Sequence, residues 1–426
     1  MPLTLVSERR LAMTAAHRNS GVPPLVLAAA AALCLMPMSS AVWAQTPAAH
    51  STPLQPAAAP TLTLSQGKGL SVTTADERFS FGVRGRIQLR ETIRHEADFH
   101  NETQPRTFRL FTYGHLLSKD LQYVVQLAFG AAEYDPSSPS PVFDAFVDYK
   151  LHRDAQLRVG QYFVVFDRAR TIRESALQLV DRQQVIQELN LDRDVGLTVL
   201  STDLFGQGGK LNYALGIYGG NGRNRTSNKR AGYLFTGRIG VKPFGQFDDD
   251  VEGDLQRLAK PRLAIGLAAA FNDNADRNRG TIGTAYQEAT FDYKYAAADL
   301  VFKWHGVSFM AEVLTRQARV DSKTNLVGTA TVKEWSRSGW GYLLQAGVMI
   351  TPRVEVAGRW DELRAVGNTD PALVTLAQTQ GHEVGGGINI YLNGHFLKLQ
   401  ADYAARFGPK DVPLWQVVRL QLDASF

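Results

Sequence analysis

Arginines crowd the stretch between Gln161 and Asp194, YFVVFDRARTIRESALQLVDRQQVIQELNLDR, which carries Arg168, Arg170, Arg173, Arg182 and Arg193. A guanidinium stays charged at physiological pH and offers a planar fork of N–H donors. Such a cluster can replace part of an anion's hydration with charge-assisted hydrogen bonds. Asp167, Glu174, Asp181 and Glu188 are interleaved with it. Two readings follow: Arg168, Arg170 and Arg173 line a passage and favour anions, or they are ion-pair anchors that fix the stretch to a wall. A second set sits on alternate residues of FSFGVRGRIQLR, where Arg84, Arg86 and Arg90 share one parity.

Other chemistries find less support. Ser308, His115 and His382 are residue types a hydrolase needs, but there is no G-x-S-x-G turn and no spacing that unites them. Cys34 is the single cysteine and lies in an N-terminal segment expected to be removed, so no disulfide, thiolate metal site or cofactor is implied. Asp248, Asp249, Asp250, Glu252 and Asp254 resemble the start of a calcium loop, yet the twelfth position is Ala259, not a bidentate Glu; a solvated acidic turn is expected. GGNGRNRTSNKR, with Arg223, Arg225, Lys229 and Arg230, is expected on an external loop. There it is a plain solvated segment, a contact for anionic lipopolysaccharide, or a funnel for anions. A net charge of +5 over 426 residues does not suggest a nucleic-acid binder.

The elements that must position these groups are strands. In Phe79–Arg90, Phe79, Phe81, Val83, Ile87 and Leu89 are odd and Arg84, Arg86, Gln88 and Arg90 even, so one face is apolar and the other basic. About sixteen period-2 segments follow the same rule to the last residue, Phe426. Short links such as His305-Gly306 and Asn393-Gly394-His395 take turns with long ones near 91–106, 130–142, 162–193, 219–230, 272–289, 317–338 and 362–381. This rhythm predicts a transmembrane antiparallel β-barrel of the outer membrane, apolar toward lipid and polar toward its lumen. At the N-terminus, Arg9, Arg10 and Arg18 precede the apolar run PLVLAAAAALCLM and a small-residue site after Ala44. The expected organisation is a signal peptide over 1–44, an Ala/Pro-rich periplasmic leader over 45–78 and the barrel over 79–426.

Assigning the polar parity to the lumen places Arg84, Arg86, Arg90, Arg109, Arg158, Arg238, Lys303, Arg316, Arg359, Lys398 and Arg419 inside, with Asp144, Asp148, Glu312, Glu355, Asp361, Glu383, Asp402 and Asp423. Aromatics near strand ends, among them Tyr123, Phe143, Tyr149, Trp304, Trp360 and Tyr403, are expected in the interfacial girdles. Residues 162–193 are too apolar for a loop in water. Folded into the barrel, the loop would bury Val164, Val165, Phe166, Leu177, Leu179 and Val180, with a short helix over 175–182.

The barrel segment resembles the phosphate-selective porin family. The resemblance rests on the order and spacing of FSFGVRGRIQL, FDAFVDYKLHRDAQLRVGQYFVVFDRARTIRESALQLVDR, ELNLDRDVGLTV, YALGIYGGNGRN, GYLLQAGVMITPRVEVAGRWDEL and GHEVGGGINIYLNGHFLKLQADYA. It implies a sixteen-stranded homotrimeric diffusion channel, not an enzyme, with Arg168, Arg170, Arg173, Arg109, Arg84, Arg86 and Arg158 along the pore and Arg170 at the family's constriction-loop basic position. An Arg pair often opens the second strand in that family; here Phe108-Arg109-Leu110 keeps one guanidinium of it. The expected solutes are small and hydrophilic, with anions preferred and phosphate or another oxyanion among them. A general or sugar-type porin, a membrane-embedded hydrolase and a plugged structural barrel are the alternatives.

Overall fold

Alternation of apolar and polar side chains has its consequence in a closed barrel. The computed structural model describes residues 59–426 apart from 131–132, 136–138, 226–227 and 411. The expected signal peptide and residues 45–58 of the leader lie outside the described residues; the rest of the leader, expected to be extended, folds as a hairpin over 61–73.

Sixteen antiparallel strands form the wall. They are β1 (Ser80–His95), β2 (Phe99–His115), β3 (Leu121–Ala128), β4 (Val142–His152), β5 (Ala155–Phe163) and β6 (Arg193–Ser201). Next come β7 (Leu211–Tyr218), β8 (Leu234–Val241), β9 (Arg262–Ala275), β10 (Phe291–Trp304) and β11 (Val307–Ala318). The wall ends with β12 (Gly339–Met349), β13 (Val354–Ala365), β14 (His382–Asn393), β15 (Leu397–Phe407) and β16 (Trp415–Ser425). Each pairs with the next, and β16 pairs with β1 from Gln416 opposite His95 to Ser425 opposite Arg86, so no edge remains in the wall. On β1, Phe81, Leu89 and Ile93 are exposed outward while Arg86, Gln88, Arg90 and Thr92 are buried within. No described helix is long and apolar enough to span a membrane.

Three loop expectations change. Residues 91–106 are mostly strand, because β1 and β2 continue past the rim as a tall hairpin. The link at 317–338 folds as its own hairpin, Ser322–Val327 with Ala330–Trp335. The acidic link between β8 and β9 is only partly solvated: Asp248 and Asp250 are exposed, but Asp249, Val251, Glu252 and Asp254 are buried, and the segment turns into the lumen. Its carboxylates are taken by Arg168, by Lys242 and by the backbone N–H groups of Gln178, Leu258 and Gly306.

One half of the lumen is a packed core. Val164, Phe166, Ile172, Leu177, Ile186 and Leu189 of the loop between β5 and β6 bury against the inner faces of β7 to β13, where Tyr218, Tyr293, Tyr295, Leu314 and Leu343 point inward. The sequence alone placed most aromatics toward lipid. These inward tyrosines lie under the loop instead.

Candidate pore constriction

The loop between β5 and β6 contains α1 (Arg168–Thr171), a single 3-10 turn at Glu174–Ala176 and α2 (Gln184–Leu189). Asp167 caps α1 by accepting the Arg170 N–H at 2.6 Å. The helix expected over 175–182 is absent, and the wall supplies the reason. Gln178 N–H donates to Glu252 at 2.6 Å and Val180 N–H to Asp402 at 2.8 Å, while the Leu177 carbonyl accepts from Lys398 at 2.7 Å. Side chains from across the lumen occupy the groups that intrahelical bonds would use. Val164, Phe166, Leu177, Leu179 and Val180 are buried as expected, and Val165 is half-buried.

Between this loop and the wall of β1 to β6 lie two cavities. The one toward the short-turn end has a volume of about 390 Å³ and is bordered by Arg84, Arg86, Phe111, Arg173, Arg193 and His395. The one toward the long-loop end has about 280 Å³ and is bordered by Arg90, Arg106, Arg170, Asp181, Asp192 and Arg223. Arg109, Glu174 and Arg182 border both. These three groups stand between the two cavities, where a path that joined them would pass.

The sequence-predicted residues divide. Arg168 is a wall anchor: it is buried, pairs with Asp249 at 2.6 Å and with Asp299, and its N–H donates to Glu312. Arg158 borders neither cavity and is clamped to Asp148 at 2.6 Å. Arg170 pairs with Asp192 at 2.8 Å and borders the upper cavity. Arg173 is exposed in the lower one. Arg84 lies over Phe111, 4.3 Å from the ring centre, and its Nε has no hydrogen-bond partner. Arg86 donates to Asp423 at 2.7 Å, and Arg109 to Glu174 at 2.6 Å and to Glu133.

Three carboxylates of the β5–β6 loop border the path, and each is shared by two arginines. Glu174 lies 2.6 Å from Arg109 and 3.7 Å from Arg86. Asp181 lies 2.8 Å from Arg90 and 2.7 Å from Arg419. Asp192 lies 2.8 Å from Arg170 and 3.4 Å from Arg193. Burial pushes these carboxyls up, but the paired guanidiniums outweigh it: Glu174 and Asp181 are held well below the usual carboxylate range, and Asp192 is lowered to about 2. Among the described residues no ion pair forms at Arg84, Arg106 or Arg173, although all three border the path. The path therefore carries a surplus of positive charge.

Two of its residues were hidden from the parity rule. Between β1 and β2 the register shifts at Gln88/Leu89, so that Thr107 and Pro105 face consecutive partners and Arg106 is the extra residue. A second shift at Gln126/Leu127 makes Phe143 the extra residue of β4. Each bulge turns a side chain that alternation assigns elsewhere toward the lumen. Phe143 is thus not in a girdle; Arg109, Arg193 and Arg223 lie over its ring at 4.6, 3.8 and 4.5 Å. The basic segment after β7 is likewise no plain solvated loop. Arg223 turns inward, Arg225 pairs with Asp276 at 3.1 Å, and Lys229 donates to the Tyr286 carbonyl.

The hydrolase residues are not brought together. Ser308 accepts from Gln178, His115 bonds Ser80 at the short-turn rim, and His382 stacks on Phe407. No family model and no curated protein matches the sequence. Solved structures do match. OmpF of Salmonella typhi, in complex with daunomycin, aligns with a TM-score of 0.56 at 13% identity, covering 82% of this chain and 99% of that one. The outer membrane channel DcaP of Acinetobacter baumannii aligns at 0.52 and 11%, covering 83% and 99%. An anion-selective porin from Comamonas acidovorans aligns at 0.50 and 12%, covering 82% and 100%. At such identities the likeness is one of fold, and the fold is that of the outer-membrane porins.

Proposed function

We propose that the chain is a passive outer-membrane channel for small hydrophilic solutes that prefers anions, phosphate and other oxyanions among them. The observation that carries this reading is the charge pattern of the path: every carboxylate that the β5–β6 loop places on it is shared by two guanidiniums, and Arg84, Arg106 and Arg173 form no ion pair among the described residues. Arginines held at a constriction favour anions because they offset lost hydration. Desolvation by the packed loop strengthens that attraction.

A sugar-type channel is less well supported. It would present free aromatic faces along the path, but Phe111, Phe143 and Phe163, which border it, are covered by guanidiniums, and Tyr218, Tyr293 and Tyr295 lie beneath the loop. A homotrimeric state rests on the family resemblance, removal of residues 1–44 on the N-terminal pattern, and contact with lipopolysaccharide on the basic segment of Arg223, Arg225, Lys229 and Arg230.

Conduction by the purified protein in a planar bilayer tests the reading. Stepwise chloride currents that phosphate reduces and maltodextrin leaves unchanged are expected. Currents reduced only by the sugar would favour the second reading, and no current at all would favour a plugged barrel.

A further inference from the structure

The barrel does not begin at β1. Before it, Thr61–Ser65 and Gly69–Thr73 form a hairpin whose second strand pairs with the base of β1, Leu70 opposite Val83 and Thr73 opposite Ser80. It takes the place below β16, just after which Phe426 pairs with Gly85 through both backbone groups at 2.7 and 3.0 Å. Tyr113 fixes the tip by donating to the Lys68 carbonyl at 2.6 Å. The tip also packs under the β14–β15 turn, where a Cβ on Gly67 would fall on the Phe396 ring.

Register decides which way this hairpin faces. Directly opposed residues of neighbouring strands share a face. Leu62, Val72 and Phe81 form one such row and Leu64, Leu70 and Val83 the next. Phe81 is on the lipid side of the wall, so the leucines are on it too. Leu62 is 67% exposed and Leu64 81%. Phe426, also exposed, lies just above them at the level of Gly85. The other face carries Thr61, Thr63, Ser71 and Thr73.

We propose that this hairpin is a membrane-contacting element, its Leu62, Leu64 and Leu70 face resting on the acyl chains of the periplasmic leaflet. It continues the apolar belt of the barrel without a break, and water is the costly neighbour for such a row. Lys68 at the tip and Arg78 at the base flank it, positions suited to lipid headgroups. The hairpin, itself the later part of the leader, would thereby lie against the membrane. The inference goes beyond the channel reading and depends only on the transmembrane barrel.

Single cysteines at positions 62, 63, 64 and 81 test it, each in the full chain with Cys34→Ser, labelled with a small environment-sensitive fluorophore and reconstituted in vesicles with or without brominated phosphatidylcholine. Loss of fluorescence in brominated lipid at 62 and 64, matching that at 81 and missing at 63, is expected. Equal quenching at 63 and 64, or none at 62 and 64, would overturn the proposal. So would oxidative cross-linking of unlabelled 62 or 64 between two copies, which would place a second chain on that face. As an independent check, Leu62→Asp with Leu64→Asp should remove the quenching of a label at Leu70→Cys while leaving that at 81 unchanged; retained quenching at 70 would count against it.

Discussion

The Arg109 guanidinium donates to Glu174 at 2.6 Å, and both residues border the two cavities that make up the path through the barrel. Arg86 stands 3.7 Å from the same carboxylate. Glu174 is therefore a counterion placed between the two cavities, and in the anion channel we propose it would moderate the field of its neighbours.

Glu174→Gln should raise anion preference. Removing one partly screened charge near the path is worth about 1 kcal/mol, roughly a five-fold change in the permeability ratio of chloride to potassium. Reversal potentials in a salt gradient measure it. An unchanged ratio would mean that Glu174 is not on the path.

The acidic link between β8 and β9 braces the constriction loop from behind. Glu252 N–H donates to the Ala176 carbonyl at 3.2 Å, and its carboxylate accepts from Gln178 N–H and from Gln345 at 2.7 Å. In Glu252→Ala two buried donors lose their acceptor, at about 1–3 kcal/mol each. Single-channel conductance should rise and selectivity weaken while the barrel still folds, and Glu252→Gln should restore part of both. Equal conductance in all three proteins would count against a brace.

Arg168→Ala should destabilise the molecule by about 3–5 kcal/mol, because it leaves the buried carboxylates of Asp249 and Asp299 short of a partner. The midpoint of heat unfolding, followed on gels, checks this. Its effect on selectivity should be smaller than that of Arg173→Ala, since Arg168 is buried against the wall and Arg173 is open to the cavity.

Acidification should strengthen the loop rather than weaken it. Burial raises the Asp167 carboxyl to about 6 against the moderating pull of Arg170, Arg182 and Arg238. A folded-state value above the unfolded one means that the folded protein binds the proton more readily, so this penalty is full above the raised value and fades toward the unfolded value. Heat stability should therefore increase as the medium goes from about pH 8 to about pH 5. Asp167→Asn should flatten that slope, and a slope unchanged in the variant would contradict the assignment.

Alternation made much of this molecule legible in the sequence. The lumen parity of Arg86, Arg90 and Asp423 and the outward parity of Phe81 and Leu89 follow from the period of a strand, and the apolar content of 162–193 indicated an inward loop. Arg106 and Phe143 escaped because a bulge shifts parity by one residue and leaves no mark in composition. The broken helix at 175–182 escaped for another reason: Glu252, Asp402 and Lys398, far apart in sequence, take its backbone groups. The loop arginines could not be sorted into anchors and liners from sequence, since their partners, Asp249 and Asp299 for Arg168 and none for Arg173 among the described residues, come from distant strands and turns.

In the channel we propose, Arg84, Arg106 and Arg173, which form no ion pair among the described residues, set the charge preference of the path. Reversal potential in a potassium chloride gradient, compared between the native protein and Arg84→Ala/Arg106→Ala/Arg173→Ala, tests it most directly. An anion-selective potential in the native protein that falls most of the way to zero in the variant, with conductance retained, is the predicted result. A cation-selective native channel, or a variant as selective as the native protein, would contradict it.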